Sequence, residues 1–498
     1  MASQLLAKYK AVHAAALDGS VSYPRFAAEQ LVKLYNIISE ERRALEDALQ
    51  KDTGVNSVEA QCELALVLAL VKRTLEHVEY ERQKERKEAA LKDDGRIEKG
   101  KGVLLIVSDA AAPLYSVIAP LAMGISTGNA IACFLPSSTP SLSSLLELTL
   151  TKTLNRFAYL FTTSDPATFA APEFVLKPSA PVFVITSRTT SVPESGSTLV
   201  ASAGTAGATA VVDRLSPSSA ELASVARLVV RGKFHALGRL PGSVARVLVH
   251  EESAGALLDA ILHEIGVAFG RDAALASDYG RMRGGAWEAP DFKREKDQGA
   301  RVLCGGARKA GDEDGFYPPT VLSNPSCGLL TKSPQGPILP VETFGSHEDL
   351  LYKLGGIDTS VLYLFSPEPE VVEYLAAEST ATTVYANDIP LEALYDPGNI
   401  LTSPSHYLST SRLVRPTASS STSSPALFAP FTPSRLSALA SLFPREQKLV
   451  FKRTKHANII RRVFFLQGVF ITLGAIVTVL LGSTGWVGWS AIKWFKSR

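Results

Sequence analysis

The side chains best suited to covalent or acid–base chemistry are scattered along this chain instead of being gathered in a motif. Four cysteines, Cys62, Cys133, Cys304 and Cys327, stand far apart and form neither a CxxC pair nor a metal-ligand spacing, so they read as reduced thiols and no metal is expected. Cys304 lies in RVLCGG, at a predicted strand end, and Cys327 in NPSCG, in a predicted loop. His235 and Ser243 share the segment GKFHALGRLPGS and suggest a base and a nucleophile. No carboxylate is visible there to orient the histidine, so the serine oxygen would stay poorly activated and loop or core roles fit both better. Arg239 in the same segment could hold an anion, but a surface or structural arginine is the plainer reading. The charged run ERQKERKE reads as a solvated helix face, and a formal net charge of +2 gives no electrostatic case for nucleic acid.

The elements that would position these groups follow from hydrophobic period. A chain of 498 residues is too long for one ordinary core, and two or three domains are expected. Residues 22–98 read as a helical layer. Apolar positions at Leu31, Leu34, Ile38, Leu45 and Leu49 predict a helix that stops near Gly54, followed by a second from about Ser57 to Glu88. The pattern then changes to short, nearly continuous apolar runs at Gly102–Ser108, Asn129–Ser137, Arg156–Thr162 and Pro181–Ser187, with the helical PLYSVIAPLAMGISTG between the first two. Apolar strands alternating with helices indicate an α/β fold with a parallel sheet covered on both faces. ARVLVHEES, an Ala/Leu-rich helix from Ala254, RVLCGG and VLYLFS suggest a second α/β lobe. The Ser/Thr/Pro-rich Ser419–Ser434 reads as a flexible linker.

From Val463 to Ile492 there is no charged residue, and Val463–Gly482 is long and apolar enough for a transmembrane helix, which needs about 20 residues. Trp486, Trp489 and Trp494 follow it as interfacial anchors. The excess of Lys and Arg upstream predicts a single-pass C-terminal anchor with the body in the cytoplasm. The N-terminus lacks the apolar stretch and cleavage site of a secretory signal.

Several segments, in order, resemble the aldehyde dehydrogenase superfamily, particularly its membrane-anchored, class 3-like members that oxidise fatty aldehydes. They are ALQKDTGVNSVEA, the run GVLLIVSDAAAPLYSVIAPLAMGISTGNAIACFLPS, VARLVVRGKF, VLVHEE, SDYGRM, GFYPPTVL, GPILPV and Asn387-Asp388, together covering roughly residues 20–395. The resemblance implies a Rossmann-like nucleotide lobe, a second α/β catalytic lobe and a C-terminal transmembrane helix. The expected division is 1–212 for the helical layer and nucleotide lobe, 213–386 for the catalytic-type lobe and 387–415 for a return to the first lobe. Residues 416–460 would be linker and basic flank, and 461–498 the anchor and tail.

The family activity implied is oxidation of an aldehyde to an acid with a nicotinamide cofactor. That chemistry needs a thiolate to form a thiohemiacetal, a carboxylate to activate water, and an amide side chain plus a backbone N–H for the oxyanion. The resemblance puts Pro241 at the nucleophile position, where proline supplies neither an attacking atom nor an N–H. It puts Ala203 or a neighbour at the base, and no carboxylate occurs from Gly196 to Val212. Asp109, Ala110 and Ala111 stand for the oxyanion turn, with Ala111 at the asparagine. On the cofactor side Leu135 replaces the ribose-contacting lysine, the turn starting at Ser187 has no glycine before Gly196, and Ser333-Pro334-Gln335 replace the motif whose glutamate holds the nicotinamide ribose.

Residues that shape the backbone persist while those assigned to catalysis are replaced. The expected protein is therefore a membrane-anchored pseudoenzyme, an aldehyde dehydrogenase homologue with a binding, scaffolding or regulatory role and no cofactor. The alternative is NAD- or NADP-dependent oxidation of long-chain aldehydes by a non-standard site. The expected partners are the lipid bilayer and a homodimer or heteromeric protein partner, and the expected address is the endoplasmic reticulum.

Overall fold

The computed structural model describes residues 2–78, 100, 102–164, 182–186, 197–202, 207–216, 220–270, 273, 279–283, 290–306, 315–331, 335–399, 401–402 and 412–414. The chain divides into Met1–Leu449 and Val450–Arg498, and every described residue lies in the first unit.

Four helices open the chain: α1 (Ala2–Asp18), α2 (Pro24–Glu40), α3 (Arg42–Thr53) and α4 (Ser57–Val78). The helix predicted to run without interruption to Gly54 is two helices. The break falls at Glu41, whose ψ of 12° leaves the helical range, and this interruption carries no Gly or Pro signal. Gly54 ends α3 in the left-handed conformation (φ 74°). A Cβ there would stand 1.9 Å from the Arg281 carbonyl oxygen, so only glycine fits.

A five-stranded sheet follows, in the order β3-β2-β1-β4-β5 and parallel throughout. Its strands are β1 (Val103–Val107), β2 (Ala130–Phe134), β3 (Tyr159–Thr162), β4 (Val182–Thr186) and β5 (Ser197–Ser202), with α5 (Tyr115–Ser126) and α6 (Pro140–Thr153) as crossovers. The unbroken apolar sequence of β2 is explained by its complete burial, because helices cover both faces of a parallel sheet.

The second sheet has eight strands in the order β13-β12-β11-β6-β7-β10-β9-β8. β6 (Gly207–Val212), α7 (Ala220–Phe234), β7 (Val244–His250), α8 (Glu251–Phe269), α9 (Phe292–Asp297), β8 (Arg301–Cys304) and β9 (Thr320–Ser323) form its first part. α10 (Cys327–Thr331), β10 (Ile338–Phe344), α11 (His347–Gly355), β11 (Thr359–Phe365), α12 (Pro369–Glu378), β12 (Thr383–Ala386), α13 (Leu391–Tyr395) and β13 (Arg412–Val414) complete it. Only β8 runs antiparallel to its neighbour. One core lies against α11 and α12, where Leu248, Phe344, Leu362 and Leu364 meet Leu350, Leu354 and Leu375.

The membrane expectation is corrected. Among the described residues no helix is long and apolar enough to cross a membrane. α4, the longest of them at 22 residues, has the length but carries Glu59, Glu63, Lys72, Arg73 and Glu76. The predicted span Val463–Gly482 and the linker Ser419–Ser434 lie outside the described residues. The transmembrane helix, the membrane-anchored subclass, the endoplasmic reticulum address with a cytoplasmic body and the bilayer as partner are withdrawn with it.

Candidate active site

A tightly constrained segment lies between α7 and β7. α7 passes into the turn His235–Gly238, in which Ala236, Leu237 and Gly238 have φ of 49°, 57° and 66°. Left-handed backbone costs a non-glycine residue about 1–2 kcal/mol and persists where the surroundings hold it. The hold is visible here. Glu59 Oε1 accepts the Ala236 N–H at 2.8 Å, and the Gly238 carbonyl accepts the Gly336 N–H at 3.1 Å. Gly242 donates to the Leu394 carbonyl at 2.9 Å and accepts from the Tyr363 hydroxyl at 2.9 Å, and a Cβ on it would stand 1.9 Å from the Ala393 oxygen.

What this fixed backbone presents is Pro241, partly exposed, with no thiol and no N–H. Arg239 does not wait for an anion. It is buried and gives its Nη2 to the Thr53 carbonyl (2.9 Å), its Nη1 to that of Arg283 (3.3 Å) and its Nε to that of Ala236 (3.3 Å). A guanidinium at the last turn of α3 is a favourable C-terminal charge. His235 and Ser243 do not meet. His235 Nε2 pairs with the Tyr395 hydroxyl at 3.0 Å, burial pulls its pKa down to about 4, and the buried Ser243 Oγ has no hydrogen-bond partner.

At the turn that the resemblance reads as the oxyanion turn, Ala111 is buried and its backbone N–H goes to Asp109 Oδ1 at 3.1 Å. Ala203, read as the base position, lies outside the described residues. The thiols stand on other elements. Cys304 gives its Sγ–H to the Pro319 carbonyl (3.5 Å) and burial raises its pKa away from the thiolate, while Cys327 is exposed at the start of α10. Cys62 and Cys133 are buried. Among the described residues there is no cluster of His, Cys, Asp or Glu able to hold a metal.

The order of the first sheet places a dinucleotide crevice at the C-terminal ends of β1 and β4. Of the positions read as cofactor contacts, one is described in detail. Leu135, just past β2, is buried and apolar and spends its N–H on the Thr162 carbonyl. Gln335 is described, whereas Ser187 and Ser333 lie outside the described residues.

Two carboxylates that the sequence reading passed over organise the centre. Asn56 and Glu59 form a reciprocal cap on α4, Glu59 N–H to Asn56 Oδ1 at 2.8 Å and Asn56 N–H to Glu59 Oε2 at 3.1 Å. The Asn-x-x-Glu spacing carries that signal. Glu63, one turn further, takes the N–H groups of Leu114 (3.0 Å) and Tyr115 (2.8 Å) on Oε1 and caps α5. Burial pushes its pKa up to about 7, against the pull of those two N–H groups and of Arg239. Both carboxylates accept from backbone N–H groups, Glu59 on both oxygens and Glu63 on Oε1.

Structures of aldehyde dehydrogenases share this architecture. A NAD-dependent benzaldehyde dehydrogenase from Corynebacterium glutamicum superposes with a TM-score of 0.63 at 15% identity over 78% of this chain and 86% of its own. AldH from Staphylococcus aureus in its substrate-bound state gives 0.62 at 18% over 78% and 86%. This is the aldehyde dehydrogenase fold. In sequence, residues 204–397 match the aldehyde dehydrogenase family. The chain is similar to "Aldehyde dehydrogenase, dimeric NADP-preferring" of Bos taurus, 25% identical over 33% of this chain and 68% of the relative. The protein of the same name from Rattus norvegicus is 22% identical over 75% of this chain and 83% of the relative. Superfamily membership is supported by sequence and fold together. These likenesses overturn the expected membrane-anchored binding or scaffolding subunit and lie closer to the alternative, NAD(P)-dependent aldehyde oxidation.

Proposed function

We propose that this protein is an aldehyde dehydrogenase homologue in which the cysteine-dependent route of aldehyde oxidation is closed, a pseudoenzyme for that reaction. The observation that carries the reading is the turn at 235–242, whose strained backbone is held from α4, β11 and α13 while the residue it delivers is Pro241. Without an electron-rich atom at that place the tetrahedral intermediate that gives up hydride does not form. Purified protein incubated with NAD or NADP and aldehydes of graded length is expected to yield neither reduced cofactor nor acid, and intact mass spectrometry no aldehyde adduct. Cofactor-dependent acid production would overturn the reading.

A second reading, NAD(P)-dependent oxidation of aldehydes by a non-standard site, is favoured by the kinds of protein the sequence resembles. It requires a relocated nucleophile, and turnover abolished by Cys304→Ser or Cys327→Ser is its signature. The word dimeric in the relatives' name also supports a homodimer. Light scattering after size-exclusion chromatography measures that directly, a monomer mass excluding it.

A further inference from the structure

Arg246 is the largest fully buried side chain of the described residues, with 0% of its surface exposed. Its Nε, Nη1 and Nη2 atoms all lack a hydrogen-bond partner. A buried guanidinium with its donors unanswered is costly, because the interior supplies none of the hydration the cation loses. Lys233, also at 0%, has its pKa lowered to about 7 by burial and by the charge of Arg246, and Asp358, exposed, is the carboxylate whose charge reaches the guanidinium. The guanidinium is thus enclosed with no hydrogen-bonded counter-ion.

The backbone at this level is irregular on both sides of β6. Against β7, Ala208 pairs with Val244 and Thr209 with Arg246, so Ala245 is an inserted residue. Against β11, Gly207 pairs with Thr359 and Ala208 with Val361, so Ser360 is inserted there. Paired bulges re-aim side chains and are found next to ligand sites more often than elsewhere in sheets. Between them Thr209 and Thr359, both buried, share a hydroxyl hydrogen bond of 2.9 Å. One of the two donates to the other, which leaves a single hydroxyl proton to give elsewhere.

We propose that Arg246 and the Thr209–Thr359 pair form a buried site for a small inorganic anion of halide size. The guanidinium supplies the charge and the forked N–H donors, the spare hydroxyl proton supplies a further donor, and burial of all three side chains to 6% exposure or less keeps out a nucleotide or an organic carboxylate. The site is separate from the cysteine-type chemistry and stands whether or not an aldehyde is oxidised.

The test uses the full chain purified in sodium gluconate, whose anion is too large to enter. Chloride and bromide are titrated at constant ionic strength while thermal unfolding is followed. The expected result is a saturable rise in Tm with either halide, absent in Arg246→Met. A Tm that follows ionic strength alone, or an Arg246→Met variant that keeps the halide response, overturns the proposal. Should that variant fail to fold, crystals grown in bromide decide: an anomalous peak within hydrogen-bonding reach of the guanidinium supports the site, and only water there refutes it.

Discussion

Replacing Glu63 by glutamine isolates one buried charge. The carboxyl sits between α4 and the first turn of α5, and its pKa rises from the ordinary 4.5 to about 7 because burial disfavours the anion. Below 4.5 the folded and unfolded chains both carry the proton. Between 4.5 and 7 the unfolded chain ionises while the folded one holds its proton, so this group's contribution to stability falls as pH rises. Above 7 the loss is complete and amounts to about 3 kcal/mol. Glutamine keeps an acceptor oxygen for the Leu114 and Tyr115 N–H groups and carries no charge. Urea unfolding of both proteins from pH 4.5 to 8 is therefore expected to show Glu63→Gln gaining about 3 kcal/mol on wild type across that interval. Other titrating groups, His235 included, cancel in the difference. Curves that stay parallel to within about 0.5 kcal/mol would refute the reasoning, since a solvated or fully compensated carboxylate gives no such divergence.

His235 has the opposite slope: its folded pKa of about 4 lies below the usual 6.5, so its contribution is present above 6.5 and lost as pH falls towards 4. His235→Gln is expected to flatten that acid limb by about 3 kcal/mol, measured by the same urea curves. Pro241→Cys is expected to create a thiol that iodoacetamide labels yet give no NAD(P)-dependent aldehyde oxidation, because Ala111 still offers no side-chain donor to the oxyanion; turnover on fluorimetric assay would show that the nucleophile alone was missing. Gly54→Ala, at φ 74° and 1.9 Å from the Arg281 carbonyl oxygen, should cost about 2 kcal/mol or more by chemical denaturation. Ala236→Gly, at φ 49°, should be nearly neutral, whereas the same change at Ala226 inside α7 should cost about 1 kcal/mol.

The sequence alone determined the parallel first sheet, because runs such as Ala130–Phe134 are apolar on both faces and no half-exposed strand reads that way. It also determined what is chemically missing at one point: no arrangement of the chain can put sulfur or an N–H on Pro241. Tertiary structure decided which polar residues turn inward. Glu59 and Glu63 read as ordinary members of a helix, and only the approach of the 235–242 turn and of α5 converts them into caps for backbone that is distant in sequence. The left-handed Ala236 and the enclosure of Arg246 belong to the same class. Each exists because contacts far along the chain supply what its own residues do not favour, and hydrophobic period, a local quantity, contains no record of those contacts.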